Sequence, residues 1–233
     1  MRSEELSLRK PRQVRGNRAE AAAQLLGVYA ELAERGEHLL GRLLAGGPPR
    51  QWERLPADDA IDSAGLYQWF YHCHGPEDRP GDAEHGHLHL FARRALWAQL
   101  ATSRDERAFH ELCGRPKQDP ETRHLLAIGL DAKGVPISLF TVNCWVTGDL
   151  MLSAARTARL LSDIALDTGH PEIDRMVVSV IQLCERDIQR LLAARDAALA
   201  TRAPGAALED ETLEILSEER LDLDCLIEQA LES

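Results

Sequence analysis

Histidines stand at positions 72, 74, 85, 87 and 89, so five of the chain's nine fall inside one stretch, Tyr67–Phe91, YQWFYHCHGPEDRPGDAEHGHLHLF. This spacing restricts the fold more than any other feature. Side chains alternate along an extended strand, so His72 and His74 share one face, and His87 and His89 share one face. Strand, loop, strand is the reading that follows. An antiparallel pairing with His72 opposite His89, His74 opposite His87 and Phe70 opposite Phe91 makes both faces chemically coherent. The reverse face then sets Trp69, Tyr71 and Cys73 against Ala92, Leu90 and Leu88, an apolar surface suited to a core. A slip of one residue would push imidazoles into that apolar set, so the parity of the register is constrained. Directly opposed residues stand about 4.5–5.5 Å apart at Cβ, close enough for four imidazoles to meet around one ion or one anionic ligand.

Neutral imidazole is the commonest protein ligand of transition metals, and a strand-borne HxH offers two ligands on one side. His72, His74, His87 and His89 are therefore the expected ligands of a divalent transition metal; zinc, iron, copper and manganese are not distinguished. Glu84 and His85, where the second strand begins, are the candidate catalytic groups, with Glu84 as acid or base or as a partner that orients a ligand. The competing reading is a histidine face that binds an anionic substrate or is simply solvated.

The rest of the chain supplies a frame. Residues 1–17 are basic and polar and read as a disordered arm. From Arg18, apolar residues at helical spacing predict an amphipathic helix running to Leu44, with a kink at Gly36 and a stop at Gly46-Gly47-Pro48-Pro49. Residues 50–64 read as a connection, and Gly75–Glu84 as a long loop. A second hairpin pairs His124–Leu130 with Val135–Val146 across Asp131-Ala132-Lys133-Gly134. If the hairpins form one sheet, His124 and Asn143 face the histidines and are candidate substrate-binding residues. Thr147 is the expected N-cap of a helix to Leu166, and Pro171 opens a further helix with a clear 3.6-residue period from Ile173 to Leu192. The expected fold is α+β: a small antiparallel sheet of two hairpins packed against an N-terminal helix and two C-terminal helices, one domain over residues 18–202. Residues 203–233 read as a linker and an acidic amphipathic tail, a separate helix able to bind a protein partner and dispensable for folding of the body.

Two resemblances bear on function. His85-Gly86-His87-Leu88-His89-Leu90-Phe91 resembles the HxHxHxx signature of the histidine triad nucleotide hydrolases and transferases, which implies His87 as a nucleophile towards an α-phosphate. Gly86 stands where that family carries a bulky apolar residue. Taken more widely, the chain resembles a bacterial family of unknown function. The residues that carry the likeness are Tyr71-His72-x-His74, Glu84-His85-Gly86-His87-x-His89-x-Phe91, His124-Leu125-x-Ala127-Ile128 and Asp131-x-x-Gly134-x-Pro136. Leu139-Phe140-Thr141-x-Asn143-x-Trp145-Val146-Thr147-Gly148 completes the set. This likeness implies that the two hairpins form one unit and implies no particular reaction.

Charge sets the remaining bounds. The net charge is −11, yet Ala207–Ser233 holds ten acidic residues and one arginine, leaving −2 for everything before it. No basic patch with interleaved aromatics marks a nucleic-acid surface, and no apolar run reaches the roughly 18–20 residues that span a bilayer. Five cysteines without a CxxC fit a reducing cytoplasm better than a disulfide scaffold. The expectation is a cytoplasmic metal-dependent enzyme acting on a small molecule. A non-catalytic metal- or anion-binding protein and a nucleotide hydrolase remain as alternatives.

Overall fold

A computed structural model describes residues 18–44, 47, 51–74, 83–100, 103–113 and 121–232. The basic arm, 1–17, and most of the loop between the two histidine-bearing segments lie outside the described residues. The strands are β1 (Leu55–Ile61), β2 (Tyr67–Cys73), β3 (Gly86–Arg93), β4 (Thr122–Leu130), β5 (Pro136–Val142), β6 (Leu150–Met151) and β7 (Ile215–Arg220). The helices are α1 (Arg18–Glu34), α2 (Leu39–Leu43), α3 (Arg94–Trp97), α4 (Arg104–Cys113), α5 (Cys144–Thr147), α6 (Ala154–Ser162), α7 (Pro171–Leu183), α8 (Glu185–Ala200), α9 (Ala206–Glu209) and α10 (Leu223–Leu231). One open sheet runs β1-β2-β3-β4-β5-β7, with every neighbouring pair antiparallel, and the short β6 adds to β4 in parallel.

The architecture is α+β, as the hairpin pattern implies, but the sheet is larger than two hairpins. Both extra edges come from segments that carry no clean alternation. β1 lies where a connection was expected, and its pairing with β2 is interrupted between Leu55 and Ala60. β7 lies in the acidic tail, where a helix was expected: Ser217 pairs with Thr141 and Glu219 with Leu139. Its outward acids gave the segment the look of a solvated tail, while buried Leu216 and the ladder to β5 tie it to the sheet. β5 is therefore an inner strand. Pro136 is tolerated because it precedes the β7 ladder, whose last contact there is Leu221 N donating to Ile137 O.

Helices cover one face of the sheet. Tyr67, Trp69, Tyr71, Leu88, Leu90, Leu126, Ile128 and Leu139 pack with Leu25 and Val28 of α1, Met176 and Val180 of α7, and Ile188 and Leu192 of α8. Trp69 is wholly buried, and its indole N–H donates to Asp174 Oδ1 at 3.1 Å. Asp174 also accepts from Thr168 N and Oγ1, so a buried carboxylate pins the first turn of α7 onto β2 with three donors.

Several predicted helices are shorter or divided. α1 stops at Gly36, which is left-handed at φ 67°, and α2 restarts with His38 Nδ1 accepting from Gly41 N. Thr147 ends α5 instead of capping a helix. Asn143 is that helix's cap, Gly148 closes it at φ 74°, and Ser153 caps α6. The period from Ile173 to Leu192 belongs to two helices that join at Cys184. No helix among the described residues is long and apolar enough to cross a membrane.

Candidate metal centre

The second face of the sheet carries Phe70, His72, His87, His89, Phe91 and Phe140, whose rings meet one another. Parity is as expected; the register is not. His72 pairs with His87 and Phe70 with His89, and the ladder ends at Cys73–Gly86, leaving His74 beyond it. This is a slip of two from the expected pairing, which preserves both faces, so alternation alone could not exclude it. Gly86 allows the close approach at this end: a Cβ there would collide with the His72 carbonyl and the Tyr71 hydroxyl.

Three of the four expected ligands converge. The rings of His72, His74 and His87 form a near-equilateral triangle with centroids 4.9, 4.4 and 4.8 Å apart. One nitrogen from each lies within 4.8 Å of the others, a group that could hold a metal ion. His72 Nε2 and His74 Nε2 are 3.2 Å apart and share a hydrogen bond. Two nitrogens bound tetrahedrally to zinc at about 2.0–2.1 Å would stand roughly 3.3–3.4 Å apart, so this pair is already spaced as ligands would be. His87 is 3% exposed, whereas His72 and His74 are half-buried, so the group opens towards solvent on one side.

His87 is oriented by Glu84, whose Oε1 accepts from Nδ1 at 2.7 Å while Oε2 accepts from Ser138 Oγ at 3.3 Å. With Nδ1 committed, Nε2 is the nitrogen His87 presents to the triangle. A carboxylate behind a ligating imidazole fixes its tautomer and raises its basicity. Gly129 makes room for this arrangement, since a Cβ there would press on Ser138 Oγ and Glu84 Oε2.

His89 lies outside the three-nitrogen group. Its Nδ1 shares a hydrogen bond with His124 Nε2 at 3.0 Å, and its wholly buried Nε2 has no hydrogen-bond partner among the described residues. Burial first, then His124, His72, Arg54 and His74, hold the His89 pKa well below the usual histidine value. Burial and then Arg195 lower that of His124 to about 3. Both rings are therefore neutral at pH 7. A bulge between Leu90 and Phe91 in the β3–β4 ladder brings His124 beside Phe91 and onto the histidine face.

The remaining candidates sit elsewhere. The His85 ring stacks with Tyr71, and its Nδ1 shares a 2.7 Å hydrogen bond with the Tyr71 hydroxyl, away from the triangle. Asn143 accepts from Cys144 N and donates to Ala207 O, which ties α5 to α9. Thr141 bonds to Ser217 of β7.

Two residues at the site lacked any sequence signal. Leu55 pairs with Tyr71, and continuing that pairing backwards sets Arg54 beside His72 and Trp52 beside His74. The contacts agree. Trp52 meets His74 edge-on at 4.6 Å, and the Arg54 guanidinium lies 4.2 Å over the Phe70 ring. Only the β1–β2 pairing places them here; the local sequence reads as a connection.

Neither the curated proteins nor the solved structures include a match to this chain. A family profile does match, over residues 19–221, from α1 through β7. The chain belongs to the family described as a domain of unknown function, DUF6969.

Proposed function

We propose that this protein is a metal-dependent enzyme, with His72, His74 and His87 as the ligands of a divalent transition-metal ion. The observation that carries the reading is the triangle of imidazoles with Glu84 set behind His87. An all-imidazole donor set suits zinc, copper or iron better than calcium or magnesium. Three protein ligands leave a coordination position for water or substrate, the pattern of catalytic rather than structural sites. A metal there would supply Lewis acidity, a bound nucleophile or redox chemistry. The chain's own part is to hold His72 and His87 on the β2–β3 pair, with His74 just past its end, and to keep the His87 tautomer fixed through Glu84. Glu84 is thus better suited to a positioning role than to proton transfer. The four cysteines with described side chains are free thiols, which fits a reducing cytoplasm.

The test is cobalt(II) titration of metal-free, full-length protein, followed by visible spectroscopy and screening of metal-loaded and metal-free forms for turnover. The expected result is one cobalt per chain, with the intense absorption of a four- or five-coordinate site that responds to azide. Glu84→Gln should keep the site but bind cobalt about 10–100-fold more weakly. A saturated site that ignores azide and supports no turnover would identify a binding protein. A spectrum no different from aqueous cobalt would end the metal reading.

A further inference from the structure

The three imidazoles of the triangle are not held in the same way. His72 and His87 face each other across the β2–β3 ladder, and Glu84 stands behind His87. His74 comes one residue after the last pair of that ladder, Cys73–Gly86. Its Nε2 shares a hydrogen bond with His72 Nε2, but these are the two nitrogens spaced to take the ion, so metal binding ends that bond. Trp52 reaches His74 from the β1 side of β2, and it does so twice. Its backbone N–H donates to Cys73 O at 3.2 Å, and that carbonyl belongs to the planar peptide unit that carries His74 N. This bond does not involve the imidazole, so it survives metal binding. The indole meets the His74 ring edge-on with centroids 4.6 Å apart, and lies 6.0 Å from the His72 ring. Trp52 itself gains little from the core. It is 60% exposed, and its backbone is left-handed at φ 65°, a conformation that a bulky L-residue seldom adopts. Strained residues of this kind persist where their surroundings hold them, and they gather at functional sites. A glycine would fit that backbone without strain and make the same bond to Cys73 O, so what the indole adds is its contact with the imidazoles.

On the basis of the metal centre proposed above, we infer that Trp52 is a positioning residue of that centre: tied to the Cys73–His74 peptide, it holds the His74 ring in its ligating orientation. The clamp acts at the ligand that lies past the end of the ladder. Without the indole, the half-buried His74 ring can turn towards solvent, and the ion must then supply the ordering that Trp52 supplies beforehand. Trp52 thus does for His74 what Glu84 does for His87, with an aromatic contact and a backbone bond in place of a carboxylate.

The test is a double-mutant cycle in the full chain, read by cobalt(II) affinity and the visible spectrum, with the fold of each variant checked by circular dichroism. Trp52→Ala should bind cobalt about 10–100-fold more weakly than the parent, and Trp52→Phe should recover part of the loss. Trp52→Gly should fall with Trp52→Ala although it relieves the left-handed backbone, which separates the work of the ring from the strain. It also carries the comparison if the alanine variant does not fold. His74→Ala should weaken binding by itself, and adding Trp52→Ala to it should cause little further loss, because Trp52 acts through His74. A purely structural role would let the two losses multiply. Parental cobalt affinity in Trp52→Ala or Trp52→Gly, no recovery in Trp52→Phe, or the full loss repeated in the His74→Ala background would each overturn the inference and leave the metal centre standing. No cobalt uptake by the parent would remove both proposals together.

Discussion

At the scale of single residues, the site is a matter of which nitrogen each imidazole has to offer. His87 has Nδ1 tied to Glu84, and His89 has Nδ1 tied to His124, but the two outcomes differ. A carboxylate partner fixes the tautomer of His87, whereas a second neutral imidazole in a sealed position leaves His89 uncharged. His124 yields a prediction with a definite sign. Its folded pKa, about 3, lies below the unfolded value near 6.5, so below pH 6.5 the unfolded state binds a proton that the folded state refuses. Its contribution to stability is complete above pH 6.5 and falls by about 1.4 kcal/mol per unit as the pH drops towards 3. Urea midpoints of chelator-treated protein should therefore decline between pH 6.5 and 5, with a shallower decline in His124→Gln; parallel slopes would show that the ring is charged or exposed. The sequence disclosed the imidazoles and Glu84 because alternation and proximity are local properties. It did not disclose why Gly86 and Gly129 are glycines. Each makes room for a neighbour outside its own strand, Gly86 for the His72 carbonyl and Gly129 for the carboxylate of Glu84 just before β3, so the reason appears only once β2, β3 and β4 are side by side.

At the scale of elements, the same contrast explains which parts were legible. β2, β3, β4 and β5 announce themselves through apolar runs and the Asp131–Gly134 turn, where Asp131 Oδ1 accepts from Lys133 N and Val135 N. Hydrophobic pattern specifies a face and so fixes register only modulo two; the observed pairing of His72 with His87 differs from expectation by that permitted step. His124 reaches the histidine face through a bulge, an irregularity that no alternation rule anticipates. β1 and β7 are edge strands with one side in water, and their polar residues disguise them. The correction at β7 reverses an expectation about the tail. Leu216 and the whole of Ala230 are buried, Leu223, Leu226 and Ile227 of α10 pack on the main core, and α10 lies against α1. Deletion of residues 211–233 should cost at least about 3 kcal/mol by loss of this apolar burial, roughly 6–12 °C in Tm for a domain of this size. An unchanged melting temperature would show that β7 and α10 are detachable after all.

At the scale of the whole molecule, the division of labour is between two faces of one sheet. The helix-covered face supplies the core, with Trp69 and Tyr71 of β2 at its centre, and the opposite face presents histidines on the same strands. Adjacent residues of β2 thus serve the two faces in turn: Tyr71 and Cys73 point to the core, His72 to the imidazole triangle. This coupling fixes His72 and His87 on the sheet, and it explains why the site could be read from sequence while its rim could not. Trp52 and Arg54 arrive from a segment brought to the site by the β1–β2 pairing, which nothing in its local sequence announces. The central claim is that the triangle holds a metal. Elemental analysis of untagged protein, beside a His72→Ala/His87→Ala variant of unchanged fold by circular dichroism, tests it directly. About one equivalent of zinc, copper or iron in the parent and none in the variant is the predicted result. A metal-free parent that also takes up none of these ions on incubation, or a variant that keeps its metal, would contradict it.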